Sequence, residues 1–295
     1  MATGGGFWVA IGVNISKTDI VNFLQDFSDT STQNSVLGNI ALSPECVGIR
    51  MFEWPLVGVS SARDKIYKKY KKPEIVGENY MLPSEWMDSA QSVISIFNPF
   101  TQHIKDSNSD GDMPSYEWMH GRIEGQAYVV AAAQALADHL RSKGGQAMVP
   151  VADERFTVYS QPKIYSNWSE RHAAYIAGLG TFSLNRAIIT QKGIAGRFCS
   201  VITDSELAAD EREYTGLYDN CSLCGACRRA CPADAINKNG KTHVPCYKFL
   251  EKVNKQYPSY YGCGKCQCSM PCESNIPPKN PKADYSVIKN IGNGN

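Results

Sequence analysis

Nine of the eleven cysteines in this 295-residue chain fall between Cys221 and Cys272. So many thiols in so short a stretch need a shared purpose, and their spacing supplies it. Four form the run Cys221-Ser-Leu-Cys224-Gly-Ala-Cys227-Arg-Arg-Ala-Cys231-Pro232, which reads C-x2-C-x2-C-x3-C-P. Two-residue spacers wrap a loop around three corners of an iron–sulfur cube, and the fourth corner needs a ligand from elsewhere. Gly225 permits close backbone approach, and Pro232 ends the wrap while Cys231 points away.

This is the run of bacterial ferredoxins, in which the fourth cysteine serves a second cluster. Further ligands follow at Cys246, in Cys263-Gly-Lys-Cys266 and at Cys272. The spacing assigns Cys221, Cys224, Cys227 and Cys272 to one cluster, and Cys231, Cys246, Cys263 and Cys266 to the other. Eight ligands make two [4Fe–4S] clusters. Residues 213–295 carry 11 Lys and Arg against 6 Asp and Glu, and the rest of the chain carries 19 against 23. Two oxidised cubanes at about −2 each nearly cancel the basic excess, so nucleic acid is not needed to explain it. A disulfide framework suits neither the size of the chain nor its expected compartment. Zinc is poorly served by three cysteines at successive two-residue spacers. Cys268 reads as a spare thiol, and Cys46 and Cys199 as small buried hydrophobes.

The sequence before the cysteines reads as alternating strands and helices. Ser16 heads a helix carrying Ile20, Phe23, Leu24 and Phe27 on one face, with Asp19 completing a capping box. Strands are expected at Leu56–Ser60, Ser92–Phe97, Ala147–Val151, Ala187–Thr190 and Phe198–Thr203. Helices are expected at Glu117–Lys143, whose alanine-rich centre suits close packing on a sheet, and at Ser169–Ala177. The pattern predicts α/β (α+β) layering, with a first domain at 1–212 and a second at 213–295. Gly178-Leu-Gly180 follows a helix and lacks the rest of a dinucleotide fingerprint. Asp106 to Glu117 fits a calcium-loop pattern, but Asn98-Pro99-Phe100 is expected to break the entering helix. A solvated loop capping the long helix, without calcium, is the reading adopted. No run of 18 apolar residues exists, so no membrane span is expected. The first residues lack a leader pattern, which makes a cytoplasmic location the expectation.

Ser169-Glu-Arg-His-Ala-Ala-Tyr-Ile-Ala-Gly-Leu-Gly-Thr-Phe-Ser-Leu-Asn-Arg186, Ile188-Ile-Thr190 and Phe198–Asp204 resemble the core of epoxyqueuosine reductases. The tail, with Cys246 and Tyr261-Gly-Cys-Gly-Lys-Cys266, is similar to theirs, as are Pro55–Gly58, Ala90–Ser95 and Trp118–Gln126. The wider group includes reductive dehalogenases, which are anaerobic in character. The resemblance implies a nitroreductase-like cobalamin-binding domain fed by a ferredoxin-like two-cluster domain. It implies an oxidoreductase that passes electrons through both clusters to a corrinoid and on to a small molecule. The alternative is an electron-transfer or activator protein that reduces the corrinoid of a partner protein. Either would draw on a low-potential donor such as ferredoxin or flavodoxin. Gly178, Gly180, Thr181, Ser183 and Asn185 are the implied cobalamin contacts. The family's acidic proton donor aligns with Ile164, so the neighbouring Tyr165 is the implied donor. His172 is read as a core or surface histidine. The helical extension of tRNA-binding members is missing after Cys272, so tRNA is not an expected partner.

Overall fold

The computed structural model describes residues 15–160 and 164–288. The amino-terminal stretch read for a leader lies outside them. In chain order come α1 (Lys17–Thr30), β1 (Leu56–Ser61), α2 (Lys65–Lys69), α3 (Pro83–Trp86), β2 (Ser92–Pro99), α4 (Gln102–Ser107) and α5 (Tyr116–Ser142). Then follow β3 (Ala147–Met148), the hairpin β4 (Val158–Tyr159) and β5 (Tyr165–Ser166), and α6 (Glu170–Ile176). A second hairpin, β6 (Gly180–Phe182) and β7 (Ile188–Thr190), leads to β8 (Gly196–Thr203). The cysteine segment adds α7 (Ala226–Arg229), β9 (Ile236–Asn237), β10 (Gly240–Lys241) and α8 (His243–Gln256).

The capping box is formed as expected. Ser16 Oγ accepts from Asp19 N (3.2 Å), and Asp19 Oδ2 accepts from Ser16 N (2.9 Å). The main sheet has the order β1-β2-β8-β3, with every neighbouring pair antiparallel. The alternating reading therefore resolves into a mixed α+β fold without parallel crossovers. All eight residues of β2 are buried, because helices cover both faces of the sheet. Ile94 pairs with Val201 and Ile96 with Cys199, and these four face α1 and α5. Val93 pairs with Ile202 and joins Trp168 and α6 on the opposite face. Each such aliphatic side chain contributes about 1.5–3 kcal/mol on burial. Cys46 and Cys199 both lie in the α5-side core, as read from the sequence.

Two readings change. The strand expected at Ala147–Val151 stops at Met148, because Pro150 has no N–H and opens the 3-10 turn Pro150–Ala152. The approach to loop 106–112 is helical after all. Thr101, just past the break at Pro99, caps α4 by accepting from Ile104 N (3.5 Å). At the other edge of the sheet, Asp210 imitates a strand. Its N–H donates to Val59 O (2.9 Å), and its carboxylate accepts from Val59 N (2.8 Å). Lys17 pairs with that carboxylate at 2.6 Å.

The α6-side core runs across the expected boundary at 212, since Tyr218, Cys221 and Ile236 belong to it. The chain after Cys272 also returns to the sheet, where Ile194 N donates to Cys272 O (2.9 Å). Among the described residues, no helix is long and apolar enough to cross a membrane.

Candidate iron–sulfur site and its adjoining cavity

The eight cysteines separate into two neighbourhoods. Cys227 lies on α7, with Cys221 and Cys224 on the approach to it and Cys272 arriving from the far end of the segment. These four line one small cavity of about 20 Å³ with Leu184, Met270 and Pro277. Cys231 directly follows α7, Cys246 lies on α8, and Cys263 and Cys266 bracket the turn Lys265–Gln267. That second set lines a different cavity, of about 390 Å³. Burial pushes the Cys227 thiol up, and Cys266, Cys221, Cys272 and Cys224 push it the same way. Burial raises Cys263 to about 12, with Cys266, Cys246 and Cys231 adding to the effect. Iron binding reverses this preference, because a coordinated thiol gives up its proton outright.

Among the described residues, no three His, Cys, Asp or Glu side chains converge tightly enough to hold a single metal ion. The sets meet where α7 packs on the Lys265–Gln267 turn, which brings Cys227 and Cys266 into one another's field.

Local hydrogen bonds hold both loops. Tyr285 donates to Cys221 O (2.8 Å), and Asn185 Nδ2 donates to Cys266 O. Ala235 N donates to Cys231 Sγ (3.3 Å), the kind of bond that tunes a cluster through its sulfur. Asn108 donates to Cys263 O (2.9 Å) and to Cys268 Sγ (3.6 Å). Cys268 is buried in the α5-side core and lines neither cavity. Lys265 sends its ammonium into loop 106–112, donating to Asn108 O (3.1 Å) and Asp110 O (2.6 Å). A lysine thus occupies carbonyls of the calcium-like pattern, and Ser115, outside the acidic stretch, caps α5.

The cavity that the second set lines has a chemistry that the spacing arguments missed. Arg122, Arg171, Arg197 and Lys241 line it, and no Asp or Glu does. Burial and the neighbouring Arg122 bring Arg197 down to about 9. Burial opposes the charge of Lys241, but the Cys266 and Cys246 thiols outweigh it and raise its pKa. Trp118, Phe249 and Tyr261 supply flat walls. Arg122 lies 4.5 Å from the Tyr261 ring centre and donates to its hydroxyl (2.8 Å). Arg122 and Arg171 both fall in stretches that resemble the reductase family, but nothing in their spacing marks them as neighbours.

The structure does not bring the five implied cobalamin contacts together. Gly178 (φ 77°) terminates α6, with its N–H donating to Tyr175 O (3.4 Å) and that of Leu179 to Ala174 O (3.1 Å). Gly180 allows β6 to approach β7, since a Cβ there would fall 2.1 Å from Ile189 O. Thr181 Oγ1 accepts from Asn220 N (2.9 Å). Ser183 Oγ donates to Ala187 O (2.8 Å), and Asn185 is engaged with Ala187 N and Cys266 O. These polar groups are spent inside the protein and do not fit the amides of a macrocycle. Tyr165 lies on β5, stacked on Tyr159 and accepting from Asn79 (2.8 Å), and lines neither cysteine cavity. His172 is a core residue, with Nδ1 2.7 Å from Ser169 Oγ.

A family model for a 4Fe-4S binding domain matches residues 217–237. Tetrachloroethene reductive dehalogenases of Desulfitobacterium hafniense and Dehalobacter restrictus are 47% identical over 62 residues, 21% of this chain and 11% of theirs. A solved catabolic reductive dehalogenase superposes with a TM-score of 0.51 at 16% identity, covering 92% of this chain and 40% of that one. Its complex with 3-bromo-4-hydroxybenzoic acid gives 0.52 at the same identity and coverage. An epoxyqueuosine reductase bound to a tRNA stem loop gives 0.48 at 18% identity, over 79% of this chain and 66% of that one. The chain spans less than half the length of the solved dehalogenases. Its fold is thus similar to that of solved reductive dehalogenases, and residues 217–237 match a 4Fe-4S binding domain.

Proposed function

We propose that the chain is an iron–sulfur reductase in which two [4Fe–4S] clusters relay electrons to an acceptor in the cation-lined cavity. One cluster rests on Cys221, Cys224, Cys227 and Cys272, and the other on Cys231, Cys246, Cys263 and Cys266. The observation that carries this reading is the pair of four-cysteine cavities joined where α7 meets the Lys265–Gln267 turn. Electrons cross at Cys227 and Cys266 and leave beside Arg171 and Lys241. The cations offset the charge of the second cluster and hold anionic parts of the acceptor.

A corrinoid is the acceptor that the resemblance implies, and one solved relative is described in terms of B12-dependent dehalogenation. Residues 178–185 do not fit it, and the second cavity, at about 390 Å³ with the four thiols of the second set in its lining, can meet only an edge of so large a macrocycle. Arg122, Arg171, Arg197 and Lys241 suit a phosphate, and Trp118, Phe249 and Tyr261 suit a flat ring. When bound, a corrinoid supplies cobalt that is reducible to a strong nucleophile. Arg122, Arg171, Arg197 and Lys241 would hold its anionic groups, and Trp118, Phe249 and Tyr261 would orient its edge. Tyr261 is the phenol facing that cavity, and Tyr165 has no place there.

Anaerobic reconstitution followed by iron, sulfide and cobalt analysis tests the reading. About eight irons and eight sulfides per chain are expected from two four-iron centres, and Cys227→Ala should remove one cluster's signal and keep the other. Zinc, or a single cubane in the wild-type chain, ends the proposal. Two clusters without cobalt uptake would favour the alternative, an electron-transfer protein serving a partner's corrinoid.

A further inference from the structure

Cys224 is the one exposed cysteine of the eleven, so the first set reaches the surface there. The ground around it is basic. Arg228 and Arg229 on α7 are exposed, as are Lys279 and Lys282 on the segment after Cys272. Both stretches are fixed against the cluster loop. Arg229 Nη1 donates to Cys224 O (3.1 Å), and Asn280 Nδ2 donates to Ser222 O (3.0 Å). Pro277, on the same segment, lines the cavity of the first set, and its neighbour Ile276 is 40% exposed. None of the four cations stands in an ion pair among the described residues. Acids border the patch on one side, where Lys279 and Ile276 share a cavity with Asp210, Glu211, Glu213 and Asp219, and exposed Asp234 follows α7, so Arg228, Arg229 and Lys282 carry its positive charge.

We infer that this face is where a small acidic electron-carrier protein docks, with Cys224 at its centre. The inference rests on the two-cluster reading and adds the place and chemistry of the donor. An exposed apolar residue beside unpaired cations has the layout of a transient interface, with a modest apolar centre and a charged rim. Charge complementarity of this kind acts on the association rate, and salt screens it. The step is a transfer of one electron. The carrier's centre is oxidised and the first cluster is reduced, with no bond made and no proton moved. A short path follows from exposure, because no further shell of protein separates the Cys224 thiolate from a docked partner.

The test uses the reconstituted two-cluster protein and an acidic ferredoxin as the probe. Stopped-flow reduction by the ferredoxin is compared with reduction by dithionite at low and high salt. Arg228→Glu combined with Lys282→Glu should slow the ferredoxin reaction at least about tenfold at low salt, with the gap closing as salt rises. Dithionite reduction and iron content should stay unchanged. Lys248→Glu combined with Lys252→Glu, on the exposed face of α8, should leave the ferredoxin rate where it was. Three results would overturn the inference: an unaltered ferredoxin rate in the first variant, equal slowing by dithionite, or slowing confined to the α8 variant. Iron analysis short of two clusters would sink the underlying reading instead, and would be seen before any rate is measured.

Discussion

The sheet and the cysteine segment are held together by different means. Every residue of β2 is buried, and its side chains meet apolar partners on both faces. Along α8, by contrast, Val253 is the one buried residue, and α7 has none. The segment's buried apolar residues, such as Tyr218, Cys221 and Ile236, lie where it meets the sheet side, so α7 and α8 cannot offset their chain entropy by packing alone. Its ordering therefore falls to the clusters and to the hydrogen bonds that reach it from the sheet side. The sheet stands on burial, and the segment stands on ligation.

Iron removal should break the comparison most visibly. After anaerobic chelation, amide exchange across residues 221–272 should quicken at least about 10³-fold while β2 and β8 change by less than about tenfold. Equal loss in both regions would show one cooperative unit. The reverse experiment is Ile96→Ala, which should cost about 2–5 kcal/mol in denaturant unfolding and leave iron content unaltered.

A finer probe of the sheet side is Glu170. Trp168 Nε1 donates to Ser200 Oγ (2.9 Å), and the Glu170 carboxyl is buried beside them. Burial raises its pKa to about 7, partly offset by Ser200 and Trp168. The unfolded chain ionises this group near 4.3. The stability it contributes is therefore full below that value and is lost as pH rises to about 7, with a total change of roughly 4 kcal/mol. Glu170→Gln should flatten this slope in pH-dependent melting and be the more stable form at pH 8. A wild-type profile that is level between pH 5 and 7.5 would refute the assignment.

Smaller effects are expected at the seam. Lys265→Met removes two bonds to carbonyls of loop 106–112 and should cost about 1–3 kcal/mol, with faster exchange confined to that loop and its neighbours. Millimolar calcium should move the wild-type melting temperature by less than about 1 °C. A saturating rise would mean selective binding to the native state, in spite of the lysine.

Local patterns were legible in the sequence because they act within a few residues. The Ser16–Asp19 box, β1, β2, α5 and β8 all follow from capping chemistry and apolar spacing. The run Cys221–Cys231 was legible because a cube takes several ligands from one short loop, and a 4Fe-4S binding model matches that stretch. What stayed hidden depends on distant parts meeting. Arg122 and Arg197 share a cavity only because α5 packs on β8. Lys265 and Asn108 lie far apart in the chain, so their clasp has no local mark. Residues 178–185 are ambiguous for the opposite reason. Their glycines and small polar side chains suit a ligand in outline, yet a helix terminus and a tight hairpin need the same residue types.

The capped flanks of the main sheet bear on life in a crowded cell. β3 offers two residues before Pro150, and β1 has Asp210 already seated on Val59. An exposed strand with free amides invites a neighbouring molecule to add to it, which is how many proteins begin to aggregate. Here neither margin extends that invitation. A chain waiting for its iron would keep a loose carboxyl-terminal segment, but its sheet would give other copies little to zip onto.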